Sequence, residues 1–192
     1  MRVLSYTEYN HLMDRSVAKG NELATILSAT PLPADLYEAA ITQLNSCHED
    51  IEFIDKLIDE RGVDITVLAG SEEINDFYRQ ILGNIETPLQ ADTAAAVFQT
   101  DGDLYLFISV SKMAEFEKIE RLSFYVHEFV HVDQCMAGRL AMDGSVVTWK
   151  GAPYITAECL SNLTLEEYLA LPWEKEAYRA QRKFIDHGLV GE

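Results

Sequence analysis

The sequence predicts an α+β fold: a small antiparallel or mixed sheet packed on a buried helix and a C-terminal helix, preceded by an N-terminal helical hairpin. Apolar residues recur with a helical period through the first 62 residues, whereas the middle of the chain carries short β-prone runs bounded by turn residues. With 192 residues, 48% of them hydrophobic, the chain can bury a core. We expect one domain over residues 1–192, with the hairpin at 1–62 and the core at 63–192.

The N-terminal region is predicted to contain two long helices. Ser5 followed by Glu8 has the form of a capping box, and it opens a helix expected to reach about Ser28. After two prolines, a second helix is expected from about Leu36 to Arg61-Gly62, where the glycine suits a C-terminal cap. This region holds no motif that points to a chemistry.

The middle of the chain is predicted to supply the sheet. Val63 to Ala69 is typical of a strand, and Ser71-Glu72-Glu73 can begin a short helix that runs to Leu82. Two β-prone runs, Ala94 to Thr100 and Leu104 to Val110, flank Asp101-Gly102-Asp103. Such a turn sequence between apolar runs strongly indicates a β-hairpin.

The last third of the chain is predicted to be mainly helical. A long helix is expected from about Lys112 to Gly138 and a smaller hairpin from Val146 to Thr156. A short helix can be capped by the segment Thr164-Leu165-Glu166-Glu167. A final helix can begin at Pro172, since proline suits the first helical position, and is expected to end near His187-Gly188.

Residues 127–131 read His-Glu-Phe-Val-His, a spacing that indicates a metal site. On a helix, His127 and His131 lie about 40° apart around the axis and about 6 Å apart along it, so both imidazoles can bind one ion. Zinc is the expected ion, because it accepts imidazole nitrogen and carboxylate oxygen, and three protein ligands leave a position for water. Glu128 would then be the base beside that water.

The surroundings of the motif strengthen this interpretation. Projection at 100° per residue makes the helix apolar around most of its circumference, with His127, Glu128, His131 and Gln134 on one polar strip. Buried charged groups need partners, and a metal supplies them. Two alternatives remain: a polar seam without metal, and a closed structural zinc site that uses Cys135.

The third ligand is expected on the final helix. Projection places Glu174 within the apolar arc, whereas Glu176 falls among lysine and arginine. A carboxylate that faces the core requires a reason, so we predict Glu174 as the ligand and keep Glu176 in reserve. His187 could also ligate, although a histidine in a last turn commonly interacts with the helix dipole.

A His-Glu-x-x-His helix followed by a helix with Glu-x-x-Ala, here Glu174-Lys175-Glu176-Ala177, resembles the zincin metallopeptidases. It is similar to the gluzincin branch, and particularly to its small bacterial or phage-type members. Metzincins would instead have glycine and histidine where this chain has Gln134 and Ala137. The likeness covers about residues 94–187.

The resemblance implies three zinc ligands, His127, His131 and Glu174, with Glu128 as general base for a zinc-bound water. It also implies that a strand of the Ala94 to Val110 hairpin borders the substrate cleft. Such enzymes use a further donor for the developing oxyanion, and the choice lies among a few residues, with Tyr154 preferred because it lies between the two ligand-bearing helices. The full set is Tyr154, Tyr168, Tyr178 and His187.

One departure from the resemblance concerns the support of the ligands. Many gluzincins have an aspartate four residues after the glutamate ligand, where it orients a zinc histidine, and this chain has Tyr178 there. The residues that orient the zinc ligands must therefore differ from those of most gluzincins.

Composition limits the partners. A net charge of -17 and a pI near 4.5 argue against binding to nucleic acid or to anionic membranes. No secretory signal or membrane-spanning run is visible, and three scattered cysteines suggest a reducing compartment, so we expect a cytoplasmic protein.

The sequence therefore predicts a zinc metallopeptidase acting on a protein or peptide. The alternatives are a non-catalytic, zinc-stabilised binding or assembly protein, and a zinc hydrolase of another amide or ester.

Overall fold

The computed structural model describes residues 2–20, 25, 28–74, 93–100, 103–143 and 146–188. The predicted α+β class is confirmed, with N-terminal helices, a small mixed sheet, a small antiparallel sheet and a long C-terminal helix. Contacts divide the chain into two compact units, Met1–Phe116 and Glu117–Glu192. No helix within the described residues is both long and apolar enough to cross a membrane.

In the first unit, helix α1 spans Tyr6–Ala18. The predicted capping box is present, because the Ser5 side chain accepts from the backbone N–H of Glu8 while the Glu8 carboxylate accepts from the backbone N–H of Ser5. The helix ends ten residues before the expected Ser28, near Gly20, whose φ of 85° lies outside the helical region. The apolar residues Leu23, Ile26 and Leu27 of the prediction lie outside the described residues.

The predicted second helix is two helices. α2 spans Ala34–Ser46 and α3 spans His48–Arg61, with Cys47 between them at φ -90° and ψ 64°. Acidic residues in the first turn of α3 favour a helix start there, but the apolar period continues across the break and conceals it. The predicted end is confirmed, since Gly62 caps α3 in the left-handed conformation with φ 58°.

The four-stranded sheet of this unit has the order β1-β2-β4-β3. Its strands are Arg2–Val3 (β1), Ile65–Gly70 (β2), Ala95–Thr100 (β3) and Asp103–Ser109 (β4). β1 and β4 flank β2 in parallel, and β3 with β4 forms the predicted antiparallel hairpin, whose turn lies outside the described residues. Helix α2 packs on β2, and strand β1 pairs with β2. The N-terminal region therefore contributes a strand to the sheet in addition to its helices.

The second unit begins with its longest helix. The four-residue helix α4 (Val110–Met113) follows β4 and still belongs to the first unit. Helix α5 then spans Lys118–Met136. Glu117 and Glu120 form a capping box at its start, and Gly138, with φ 64°, follows its end. The predicted helix from Lys112 therefore begins six residues later than expected.

A three-stranded antiparallel sheet follows α5. Its strands, in the order β5-β6-β7, are Leu140–Asp143, Val146–Trp149 and Ala152–Thr156. The last two form the predicted small hairpin around Lys150-Gly151, where both residues have positive φ. β5 was not predicted, because its four residues follow a helix directly and carry no β-branched side chain.

Three helices complete the second unit: Ala157–Ser161 (α6), Leu165–Ala170 (α7) and Pro172–Gly188 (α8). The expected cap at Thr164 and the expected start at Pro172 are both present. α8 packs along α5 with its C-terminal end near the start of α5, since a Cβ on Gly188 would lie 2.6 Å from Ile119. The two helices are thus antiparallel neighbours, and the site is built between them.

Candidate metal centre

The helix α5 carries both predicted histidines on its buried side. His127 and His131 are one helical turn apart, and both are buried. Their Nε2 atoms lie 3.2 Å apart, and their ring planes meet at 75°. The predicted polar strip is also buried, because Ser123, Glu128 and Gln134 lie within the protein as well.

The helix α8 contributes the predicted carboxylate. Glu174 is 3% exposed, and its Oε2 lies 3.2 Å from His127 Nε2 while its Oε1 lies 3.4 Å from His131 Nε2. The three side chains together offer one ligand atom each within 4.8 Å of one another. The structure therefore brings His127, His131 and Glu174 together as a group that could hold a metal ion.

Hydrogen bonds behind His127 fix its tautomer. Ser123 donates its hydroxyl proton to the Glu120 carbonyl, so its lone pairs accept from the Gln181 side-chain NH₂ at 3.2 Å. This orientation turns the Gln181 Oε1 towards His127 Nδ1, 3.2 Å away. Since an amide oxygen only accepts, Nδ1 carries the proton and Nε2 presents its lone pair to the centre.

The same logic fixes the tautomer of His131. The Gln134 NH₂ donates to the Trp173 carbonyl at 3.1 Å and to a Glu176 carboxylate oxygen at 3.2 Å, and neither partner can donate in return. Gln134 Oε1 must then face His131 Nδ1, at 2.9 Å. The proton is again on Nδ1, so the Nε2 lone pair faces its counterpart on His127.

The carboxylate is held from behind by a tyrosine. Tyr168 donates its hydroxyl to Glu174 Oε1 at 2.8 Å. Burial raises the pKa of Tyr168, and the neighbouring Glu174 charge raises it further, so the phenol remains a donor. The other oxygen, Glu174 Oε2, is buried with no hydrogen-bond donor among the described residues.

This arrangement fits a divalent cation. Two imidazole lone pairs and one buried carboxylate oxygen converge, and the hydrogen bonds behind them leave the centre without a donor. Buried acceptors without a donor are costly, and a cation would satisfy all three together. Imidazole nitrogens and carboxylate oxygens are among the side-chain atoms that bind metal ions in proteins.

Without a metal, a proton would occupy the same place. Burial tends to lower the pKa of His131, but the hydrogen bond that its imidazolium donates to Glu174 and the charges of Glu128 and Glu174 outweigh it and raise that pKa to about 9. Burial conversely tends to raise the pKa of Glu174, yet the hydrogen bonds and charges of both histidines lower it to about 2. The centre therefore favours the binding of a positive charge, whether a proton or a metal ion.

Glu128, the predicted base, follows His127 on α5 and is not one of the three converging side chains. It is buried, and its negative charge raises the pKa of His131, Tyr168 and Tyr178. Its charge therefore acts on one ligand and on two tyrosines of the second unit.

The predicted oxyanion donors lie in different places. Tyr178 packs on His127 with ring centroids 4.5 Å apart and ring planes at 74°, and it is 39% exposed. Tyr154 is 52% exposed and packs on Trp173 at 5.1 Å. Tyr168 is engaged with Glu174, and His187 bonds the Lys183 carbonyl in the last turn of α8. Of these four residues, Tyr178 contacts a ligand imidazole and also has an exposed side.

The reserve ligands have other partners. Glu176 accepts from Arg139 at 2.7 Å and from Gln134, so it lies behind His131 rather than at the centre. Cys135 is half-buried, is not part of the metal-binding group, and has a pKa that burial raises to about 11. Neither residue joins the three converging side chains.

Sequence reasoning missed the groups that orient the ligands. Gln134 lies on the polar strip, and Gln181 lies beside Glu174 on the projection of α8, which is the signal that could have found them. The support of His127 therefore comes from Gln181, about one turn beyond Tyr178 on α8.

Comparison with known proteins finds no match among family models, curated proteins or solved structures.

Proposed function

We propose that this chain is a zinc-dependent metallopeptidase that hydrolyses a peptide bond in a protein or peptide substrate, with a gluzincin-like site. The observation that carries the proposal is the convergence of His127, His131 and Glu174, with the buried Glu128 next to the first ligand in the chain. A metal held only for stability would not need a buried carboxylate beside it.

The ligand set supports zinc and an open coordination position. Two imidazoles and one carboxylate are a catalytic zinc set, whereas structural zinc sites are usually completed by cysteine. Cys135 lies outside the group, and its raised pKa keeps it a neutral thiol rather than a thiolate. A fourth position is therefore left for water or substrate.

The metal, Glu128 and Tyr178 would each have a separate role in the reaction. Zinc, when bound here, lowers the pKa of a water ligand towards about 7 and polarises a carbonyl oxygen. Glu128 accepts a proton from the attacking water and delivers it to the leaving amine, which is general base and then general acid catalysis. Tyr178, beside His127, is better placed than Tyr154 to donate to the carbonyl oxygen.

The test combines zinc analysis with peptide hydrolysis. The wild-type protein should bind one zinc per chain and cleave a mixed peptide library, as followed by mass spectrometry. Glu128→Gln should keep the zinc but lose at least about 100-fold in hydrolysis, because it removes the proton acceptor. Glu166→Gln, at an exposed position on α7, is the control with the same change in charge.

Two outcomes would contradict the proposal. If zinc is bound but Glu128→Gln hydrolyses as fast as wild type, Glu128 is not the base. If the wild-type protein binds zinc and cleaves no peptide in the library, the non-catalytic, zinc-stabilised binding or assembly protein becomes the better account. Ester and non-peptide amide substrates tested in parallel would separate the third reading from both.

A further inference from the structure

A charged residue lies behind one histidine of the metal centre but not behind the other. His131 donates to Gln134, and the Gln134 amide donates in turn to the carboxylate of Glu176. On the other side, the chain from His127 passes through Gln181 and Ser123 and ends at a neutral backbone carbonyl. The two imidazoles are therefore supported by groups of different charge.

We infer that Gln134 and Glu176 act together as positioning residues for His131. The Glu176 carboxylate polarises the Gln134 amide, which strengthens the hydrogen bond that the amide accepts from His131 and so sets the affinity of the centre for its metal. The inference rests on the proposed metal site, but not on catalysis. Glu176, which the sequence analysis kept as a reserve ligand, then acts on the metal through Gln134 and His131 and does not bind it.

The geometry leaves the Gln134 amide one orientation. Its NH₂ has two acceptors, the Trp173 carbonyl and Glu176 Oε2, and its oxygen has one donor, His131 Nδ1. Gln134 is completely buried, so water cannot replace any of the three. A flipped amide would set its NH₂ against the imidazole and its oxygen against two acceptors.

The carboxylate is itself fixed in place. Arg139 donates to Glu176 Oε2 at 2.7 Å, the same oxygen that accepts from Gln134, and the Arg139 guanidinium lies 5.4 Å from the Trp149 ring centre. Hydrogen bonds in a chain polarise one another, so a charged acceptor at the far end strengthens the bond from the imidazole. A more basic imidazole binds a metal ion more strongly.

Zinc affinity tests the inference directly. It is measured by competition with a chromophoric chelator on the full chain, with zinc alone as the probe. Gln134→Ala should weaken zinc binding by about 10- to 100-fold, the usual effect of losing the partner of a metal-bound histidine. Glu176→Gln, which keeps the size but loses the charge, should weaken it by a smaller factor. Glu166→Gln is the control for the change in net charge.

A double substitution separates positioning from structural support. Gln134→Glu with Glu176→Gln exchanges amide and carboxylate, so a carboxylate now accepts from His131 Nδ1 directly. Zinc affinity should rise clearly above that of Gln134→Ala, because a carboxylate is also an effective partner for a metal-bound imidazole, although the Trp173 carbonyl loses the donor that Gln134 supplied. A general loss of packing would not be repaired by this exchange.

Proton NMR of the zinc-loaded protein gives a second readout. The His131 Nδ1 proton should be protected from exchange with water in wild type and in the exchanged pair, and lost in Gln134→Ala. The inference is overturned if Gln134→Ala folds and binds zinc as tightly as wild type, or if the exchanged pair binds no better than Gln134→Ala. Failure of peptide cleavage would leave these results unaffected, so the two proposals can fail separately.

Discussion

At the scale of single residues, the centre depends on which atom of each side chain is already engaged. Gln181, Gln134 and Tyr168 occupy His127 Nδ1, His131 Nδ1 and Glu174 Oε1, so the remaining atoms point to one place. All three supporting groups are uncharged. The ligands could be predicted from spacing and helix projection. The same projection places Gln134 and Gln181 on the faces that carry the ligands, but it does not show which histidine each amide supports, since Gln181 is 54 residues from His127.

Loss of the Tyr168 hydroxyl should weaken both stability and metal binding. Tyr168→Phe leaves Glu174 Oε1 buried without its donor, at an expected cost of about 1–3 kcal/mol in the free energy of unfolding. Zinc affinity should fall about tenfold because the carboxylate loses its fixed orientation. Urea unfolding and zinc competition measure the two effects. Tyr154→Phe is the matched control, and equal effects from both variants would contradict the assigned contact.

Zinc binding should strengthen as pH rises to about 9. His131, whose pKa is raised to about 9 in the metal-free protein, must lose a proton to bind zinc. Between pH 6.5 and 9, zinc affinity should therefore rise by about tenfold per pH unit and then level off. Competition titrations at several pH values measure this. A pH-independent affinity across that range would show that no proton is displaced.

The stability of the metal-free protein should show the opposite trend. A raised histidine pKa stabilises the folded state fully below the unfolded value of 6.5, and this contribution is lost as pH rises through about 9. The lowered pKa of Glu174 stabilises above 4.5, and its contribution is lost as pH falls towards about 2. The two contributions overlap between about pH 4.5 and 6.5. Urea unfolding in the presence of a chelator should find the highest stability there.

At the scale of elements, several boundaries set by capping were predicted, whereas the capped start of α5 and the boundaries set by packing were not. Ser5 and Thr164 form their predicted capping boxes, and Gly62 ends α3 as expected. The interruption at Cys47 was not predicted, because apolar spacing on both sides of it continues the same period. β5 was missed because its pairing with β6, rather than its own composition, makes it a strand.

The contact between β2 and β4 requires a glycine at position 70. A Cβ there would lie 2.3 Å from the ring of Phe107, which is itself buried and held by the sheet. Gly70→Ala should lower the free energy of unfolding by about 1–3 kcal/mol through overpacking. In the double variant with Phe107→Leu, the two costs should be less than additive, as measured by urea unfolding. Strict additivity would mean that the ring is not what excludes the methyl group.

At the scale of the whole molecule, each compact unit has its own sheet, and the metal group belongs entirely to residues 117–192. The α+β class followed from periodicity and turn residues, whereas the division at Phe116 did not, because no linker composition marks it. The net charge of -17 does not identify a substrate.

Zinc should stabilise the folded chain by mass action. At a free zinc concentration 1,000 times the dissociation constant, the expected gain is about 4 kcal/mol. Differential scanning calorimetry with zinc and with a chelator should show a higher unfolding temperature for the zinc-loaded wild type. Glu174→Ala should remove that difference. An equal increase in wild type and in this variant would indicate zinc binding elsewhere in the chain.

X-ray absorption at the zinc edge tests the central claim most directly, because it reports the ligands of the bound ion. We predict one zinc per chain with nitrogen and oxygen neighbours only, two of them imidazoles, at about 2.0–2.2 Å, and a fourth light atom from water. A sulfur neighbour at about 2.3 Å would mean that Cys135 closes a structural site. That spectrum, or one with no imidazole neighbour, would contradict the proposed open centre of His127, His131 and Glu174.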